Sequence, residues 1–355
     1  MYFSVIDKIT AWAPGDWIRA EKHLRADEPF LPDHFPGTPV MPGVLTLEAM
    51  AQAGDWLVQS GRGAPPGRFC LQAARAVKFT RFARPGDTVT VFAKLVAEHE
   101  DGAELSCQAM VGDCVVASAR MTLGARDRTA SAASDGDAAA PGAAGVSPVS
   151  FGDAQFSAQL SSGAPIADSP SRFGTGKLPE ATCVFRWHWL DRFVEFREGR
   201  SAKAVKRVPR LRQGYSLGRL FPEQLSAALV LEGLAQTGGL LAFDAIRFRK
   251  APIMAKIVKA EFHAETEPGT ELEYAAHLER LDEEGAAVRV ASCCGRQLHA
   301  QAQILFAFVA GEGGAAAVDP AIFYAMMCDT GAFDVPPQAE PLPESAPRLP
   351  AANIS

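Results

Sequence analysis

Between Asp33 and Gln52 the chain reads DHFPGTPVMPGVLTLEAMAQ, with a histidine at 34, a glutamate at 48 and a glutamine at 52. A carboxyl on an otherwise apolar helix is costly to ionise, so Glu48 is expected to have a raised pKa and to stay protonated. A protonated carboxyl beside an imidazole puts an acid and a base in one pocket. That pair suits removal of a proton from the carbon next to a thioester and donation of one to a departing hydroxyl. Gln52, one helical turn beyond Glu48, can orient the carboxyl by a hydrogen bond. Pro36, Pro39 and Pro42 stiffen the approach to the helix and keep the residues before them extended. Gly43 then lets the chain turn into the helix. The free amides of Gly43 and Val44 point beyond the helix start, where the dipole behind them would hold a carbonyl oxygen that gains negative charge. Taken singly, a loop histidine is an ordinary surface residue, and a buried Glu–Gln pair can be purely structural.

The elements that must hold these groups occur twice. Residues 229–236 read LVLEGLAQ, nearly the same helix again, without a histidine in front of it. Asp7, Lys22, Glu48 and Gln52 match Asp191, Lys206, Glu232 and Gln236, each 184 residues on. Further along the offset is 183: Pro85-Gly86 matches Pro268-Gly269, and Gly102 matches Gly285. An offset this constant indicates duplication of a whole domain. Each half opens with a strand hairpin, followed by a loop and one long apolar helix, from Gly43 to about Gln59 and from Ala227 to about Phe243. Alternating strands follow, with turns at ARPGD, EHEDGA and MVGD, or at TEPGT and DEEGA. A helix apolar on nearly every side should be wrapped rather than lie on a surface. The expected fold class is therefore α+β: two hotdog domains, each a central helix wrapped by an antiparallel sheet, paired as a pseudo-dimer within the chain.

The domain map follows from composition. Residues 1–126 form the first hotdog, and 180–311 the second. Between them, 127–179 are rich in Ala, Ser, Gly and Pro and read as a flexible linker, about 40 Å root-mean-square in span. The tail, 312–355, holds one short helical stretch, DPAIFYAMMCD, before an end of disordered composition. The 355 residues are 48% hydrophobic, enough for two cores. The net charge of −6 argues against nucleic acid as a partner. No apolar run is long enough for a membrane span, and the start lacks the pattern of a secretory signal. Seven cysteines without CxxC spacing fit reduced thiols in a cytoplasm. His23, His99, His188, His263, His277 and His299 have no metal-ligand spacing.

HFPGTPVMPGVLTLEAMAQ closely resembles the signature of bacterial 3-hydroxyacyl-[acyl-carrier-protein] dehydratases of the FabZ/FabA type. In that family the histidine, the proline ladder, the glycine at the helix start and an acid fourteen residues after the histidine recur together; here they are His34, Gly43 and Glu48. The acid is glutamate, as in the FabZ branch, which favours simple dehydration over coupled isomerisation. The resemblance implies conversion of (3R)-3-hydroxyacyl thioesters to trans-2-enoyl thioesters, with an acyl carrier protein as partner. It implies no cofactor beyond the phosphopantetheine arm carried by the substrate, and no metal. Phe35, Pro42, Val44 and Gln236 would bind or orient substrate.

In this family each site takes its histidine from one hotdog and its acid from the other. At an offset of 184, His34 maps to Gly218, so the second half supplies no base. The complete composite site is then His34 with Glu232, as in the double-hotdog dehydratase domains of polyketide and animal fatty-acid synthases, and Glu48 becomes a relic or packing residue. Two basic clusters, Arg62, Arg68, Arg75, Lys78, Arg81 and Arg84, and then Arg247, Arg249, Lys250, Lys256 and Lys259, would dock an acidic carrier, with Arg81, Arg84, Arg249 and Lys250 as the contacts. Ordinary solvated strand edges are the plainer account of both. A hotdog thioesterase or hydratase acting on a coenzyme A ester, and a degenerate carrier-binding protein, are the alternative functions.

Overall fold

The computed structural model describes residues 5–63, 69–125, 187–208, 226–310 and 318–335. The expected linker, the 209–225 stretch that would replace the histidine loop in the second half, and the end beyond 335 lie outside them. The first half runs β1 (Lys8–Ala13), β2 (Trp17–His23), α1 (Gly43–Arg62), β3 (Phe69–Phe79), β4 (Thr88–His99), β5 (Gly102–Val111) and β6 (Cys114–Ala125). The second repeats it: β7 (Arg192–Arg197), β8 (Ser201–Arg207), α2 (Ala227–Ala245), β9 (Ala251–Phe262), β10 (Glu271–Leu281), β11 (Gly285–Cys294) and β12 (Gln297–Val309). A last helix, α3 (Pro320–Asp329), follows.

The strands make one antiparallel sheet in the order β1-β2-β4-β5-β6-β3-β9-β12-β11-β10-β8-β7. Each half is thus a six-stranded hotdog around its own helix, and the two join edge to edge through β3 and β9. Both helices are buried almost throughout, as their apolar sequences require. They run slightly longer than expected. Helix α1 ends where Gly63 takes a left-handed φ of 64° and its amide caps the carbonyls of Gln59 and Ser60. Close approach to the sheet needs small residues. A Cβ on Gly54 would overlap Leu105, and one on Gly233, next to Glu232, would overlap the Tyr274 ring.

The duplication extends to individual hydrogen bonds. Asp7 accepts from Lys22 Nζ at 3.3 Å and from the His23 amide at 2.6 Å; Asp191 accepts from Lys206 Nζ and the Arg207 amide, both at 2.7 Å. The Val5 amide donates to Gln52 Oε1, and the Trp189 amide to Gln236 Oε1. Gly86 donates to the Leu24 carbonyl as Gly269 does to that of Val208. Side chains that anchor each helix to its own first strand have therefore been kept in both copies.

At the seam, Arg75 pairs with Lys259 and Lys78 with Lys256, like charges opposite one another on the outer face. The two basic clusters seen in the sequence thus meet in space. Some members have ordinary structural partners: Arg62 holds Glu98 at 2.7 Å, and Lys259 holds Glu261 at 2.6 Å.

Candidate functional site

The pseudo-dimer seam encloses a cavity of about 1160 Å³, lined from both halves. His34, Phe35, Gly43 and Thr46 come from the first half, and Glu232, Ala235, Gln236, Gly239 and Leu240 from the second. Most of the remaining wall is apolar, including Met41, Phe79, Phe82, Ile253, Met254 and Phe306.

His34 sits at the end of a tight loop. Its amide donates to the Phe30 carbonyl at 2.9 Å, and Phe35 after it has a left-handed φ of 54°, a conformation costly for a residue with a bulky side chain. His34 Nδ1 lies 3.0 Å from the Val40 carbonyl oxygen. A carbonyl can only accept, so Nδ1 carries the proton and Nε2 of the neutral ring keeps a free lone pair. Burial pushes the imidazole down to about 4, against the smaller opposing effect of that hydrogen bond. The ring is therefore a neutral base over the physiological range.

Glu232 lies on α2, 7% exposed. Burial pushes its carboxyl up to about 7, while hydrogen bonds from the Gln236 and Trp187 side chains pull the other way. Gln236 Nε2 donates to Glu232 Oε1 at 2.8 Å and to the Trp187 carbonyl at 2.7 Å. Trp187 links the two chemical groups. Its amide donates to Asp33 Oδ2 at 3.3 Å, and its ring stands edge-on to His34 at 5.8 Å between centroids. Sequence reasoning missed this residue; at an offset of 184 it matches Phe3, an aromatic pair that could have drawn notice, but no chemical pattern marks it. His188 beside it also lines the cavity, with Nδ1 3.9 Å from Asp329 Oδ2.

Pro42 precedes α1, and the amides of Leu45 and Thr46 both donate to its carbonyl. The Gly43 amide stands ahead of these bonds at the cavity wall. A Cβ on Gly43 would come 2.9 Å from the Phe79 ring, so only glycine fits without moving that wall. Pro42 and Val44 are buried and do not line the cavity. Nor does Glu48, which accepts from Gln52 Nε2 at 2.9 Å on α1. The geometry brings His34, Gly43, Glu232 and Gln236 together and leaves Glu48 out.

Arg81 and Arg84 line the rim. Arg249 and Lys250 do not, but they immediately precede β9, and antiparallel pairing brings the start of β9 toward the end of β3. All four basic residues thus belong to one end of the seam. Their counterparts in the duplicate differ. Arg81 and Arg84 match Ala264 and Glu267, and the lining residues Thr80, Ala83 and Val116 match His263, Thr266 and His299. His299 Nδ1 lies 2.9 Å from Thr266 Oγ1. The other end of the seam has diverged in both charge and lining.

A family model described as a FabA-like domain matches residues 1–120. The 3-hydroxyacyl-[acyl-carrier-protein] dehydratase FabZ of Lactiplantibacillus plantarum is 36% identical over 124 residues, which cover 34% of this chain and 84% of that protein. The chain belongs to the FabA-like dehydratase family. The FabZ of Levilactobacillus brevis is 34% identical over 118 residues, covering 33% of this chain and 80% of that protein. These FabZ matches span only about a third of the chain, whereas the likeness of fold extends over most of it. The tesB protein of Mycobacterium avium subs paratuberculosis superposes with a TM-score of 0.51 at 12% identity, over 84% of this chain and 95% of that one. Among the described residues no helix is long and apolar enough to cross a membrane.

Proposed function

We propose that this FabA-like enzyme dehydrates 3-hydroxyacyl thioesters carried on an acyl carrier protein, in fatty-acid synthesis, at one composite site. The observation that carries this reading is the pairing in one apolar cavity of a neutral His34 with a Glu232 held largely protonated up to about pH 7. His34 Nε2 takes the proton from C2 of the substrate. The Gly43 amide, backed by the α1 dipole, holds the thioester oxygen as charge gathers on it. The C3–O bond breaks as Glu232 delivers its proton to that oxygen, and water leaves. A C2–C3 double bond remains, giving the trans-2-enoyl thioester. The proton on His34 then returns through solvent to the Glu232 carboxylate. Gln236 and Trp187 keep the carboxyl aimed into the cavity.

Mass spectrometry of carrier-bound 3-hydroxyacyl substrates incubated with the purified chain tests this reading. Loss of water is the expected result. Release of free acid, or no change, would overturn it.

The rim supports delivery by an acidic carrier to this end of the seam, because Arg81 and Arg84 stand where the duplicate has Ala264 and Glu267. Reversing both arginines to glutamate is expected to lower kcat/KM for the carrier-bound substrate about tenfold at low salt, mainly by slowing encounter. A pantetheine-borne substrate should be converted nearly as before, and about 0.5 M salt should erase the difference. Equal losses on both substrates would place the arginines in the pocket rather than on a docking surface.

A further inference from the structure

Helix α3 lies beyond the duplicated strands and outside the residues matched by the family model. It nevertheless forms part of the cavity wall. Ala321, Ile322, Phe323, Ala325, Met326 and Asp329 all line it. Apart from Phe323 these residues recur at three- and four-residue spacing, so one face of α3 is turned to the cavity. Phe323 is 6% exposed, with ring centroids 5.6 Å from both Phe35 and Phe243. It therefore wedges between the residue that follows the base and the second half of α2.

The helix is anchored at both ends. Asp319 caps its start through the Ala321 amide at 2.9 Å. After its end, the Thr330 carbonyl accepts from the Phe193 amide of β7 at 2.8 Å. Val318, Met327 and Ala332 are buried. On the far side Tyr324 and Phe333 pack with Phe248 in an aromatic cluster. These contacts describe a fixed wall rather than a moving lid.

Helix α2, on which Phe323 packs, continues this wall, and its Glu232, Ala235, Gln236, Gly239 and Leu240 form a stripe along one face. From Glu232 to Leu240 a helix rises about 12 Å. At about 1.2 Å per bond for an extended chain, that accommodates roughly ten bonds.

We propose that α3 is the chain-length determinant of this enzyme: Phe323 and Met326 bound the acyl compartment and confine it to chains of medium length. The proposal rests on the dehydratase reading for the nature of the substrate. Its test does not require turnover. Saturated acyl-pantetheine thioethers of increasing chain length are titrated against the full chain, and Kd is read for each.

Wild type should bind progressively tighter, up to about ten carbons, and then level off or weaken. Each added methylene that finds a contact is worth about 0.8 kcal/mol, or about fourfold in Kd. Phe323→Ala should move the break to longer chains, with about a fifteenfold gain for a ligand two methylenes past it. Met326→Trp should move the break to shorter chains. This second variant keeps the test decisive if Phe323→Ala does not fold, since Met326 is only partly buried. An unchanged break in a folded Phe323→Ala or Met326→Trp variant would overturn the proposal. If the thioethers bind as described but no 3-hydroxyacyl substrate loses water, the dehydratase reading fails while the compartment stands.

Discussion

Replacing Glu232 with glutamine is expected to cost about as much activity as replacing His34 with alanine, each lowering kcat/KM by about 10² to 10⁴. The double variant should be little worse than either alone, because an acid and a base that act in one step are not additive. Glu48→Gln should keep most of the wild-type rate. The reason is spatial: Glu232 lines the cavity with His34, whereas Glu48 pairs with Gln52 on α1 outside it. Thermal melts of each variant separate chemical loss from misfolding. An inactive Glu48→Gln beside a nearly normal Glu232→Gln would refute the composite site and give each hotdog its own acid.

The pH profile of kcat/KM should be bell-shaped, and its direction follows from the two shifts. The base must be neutral, and burial lowers His34 to about 4, so activity falls only below that value. The acid must be protonated, and burial raises Glu232 to about 7, so above it activity should fall about tenfold per pH unit. The two groups share one cavity, and the limbs belong to the pair. Trp187→Phe removes an indole N–H that favours the charged carboxylate, so the alkaline limb should move upward. In Glu232→Gln the residual rate should lose that limb. A wild-type rate that climbs steadily from pH 6 to about 9 would instead require Glu232 to act ionised, and would reverse the roles given to acid and base.

Much of this protein is legible in its residues because the relevant patterns are local or repeated. The all-round apolar character of α1 and α2 says that both are wrapped. The constant offset between Asp7 and Asp191, or Glu48 and Glu232, says that one domain occurs twice, and the same hydrogen bonds then appear in both copies. His34, the prolines and Gly43 are legible together because a candidate base, a stiff approach and a free helix start lie within a single short segment, and it is that segment which carries the family resemblance. The absence of a matched histidine in the second half is likewise visible without coordinates.

What tertiary structure supplied depends on contacts between segments far apart in the chain. The missing second histidine and the family resemblance already favoured Glu232 over Glu48; what the seam between β3 and β9 adds is that His34 and Glu232 line one cavity and Glu48 does not. Trp187 joins Asp33 to Gln236 across more than a hundred and fifty residues on one side, a link with no periodicity to announce it. The tail showed a short helical stretch but not its destination. Only packing of Phe323 between Phe35 and Phe243 makes α3 a wall of the site, because an apolar helix records that it must be buried and not against what.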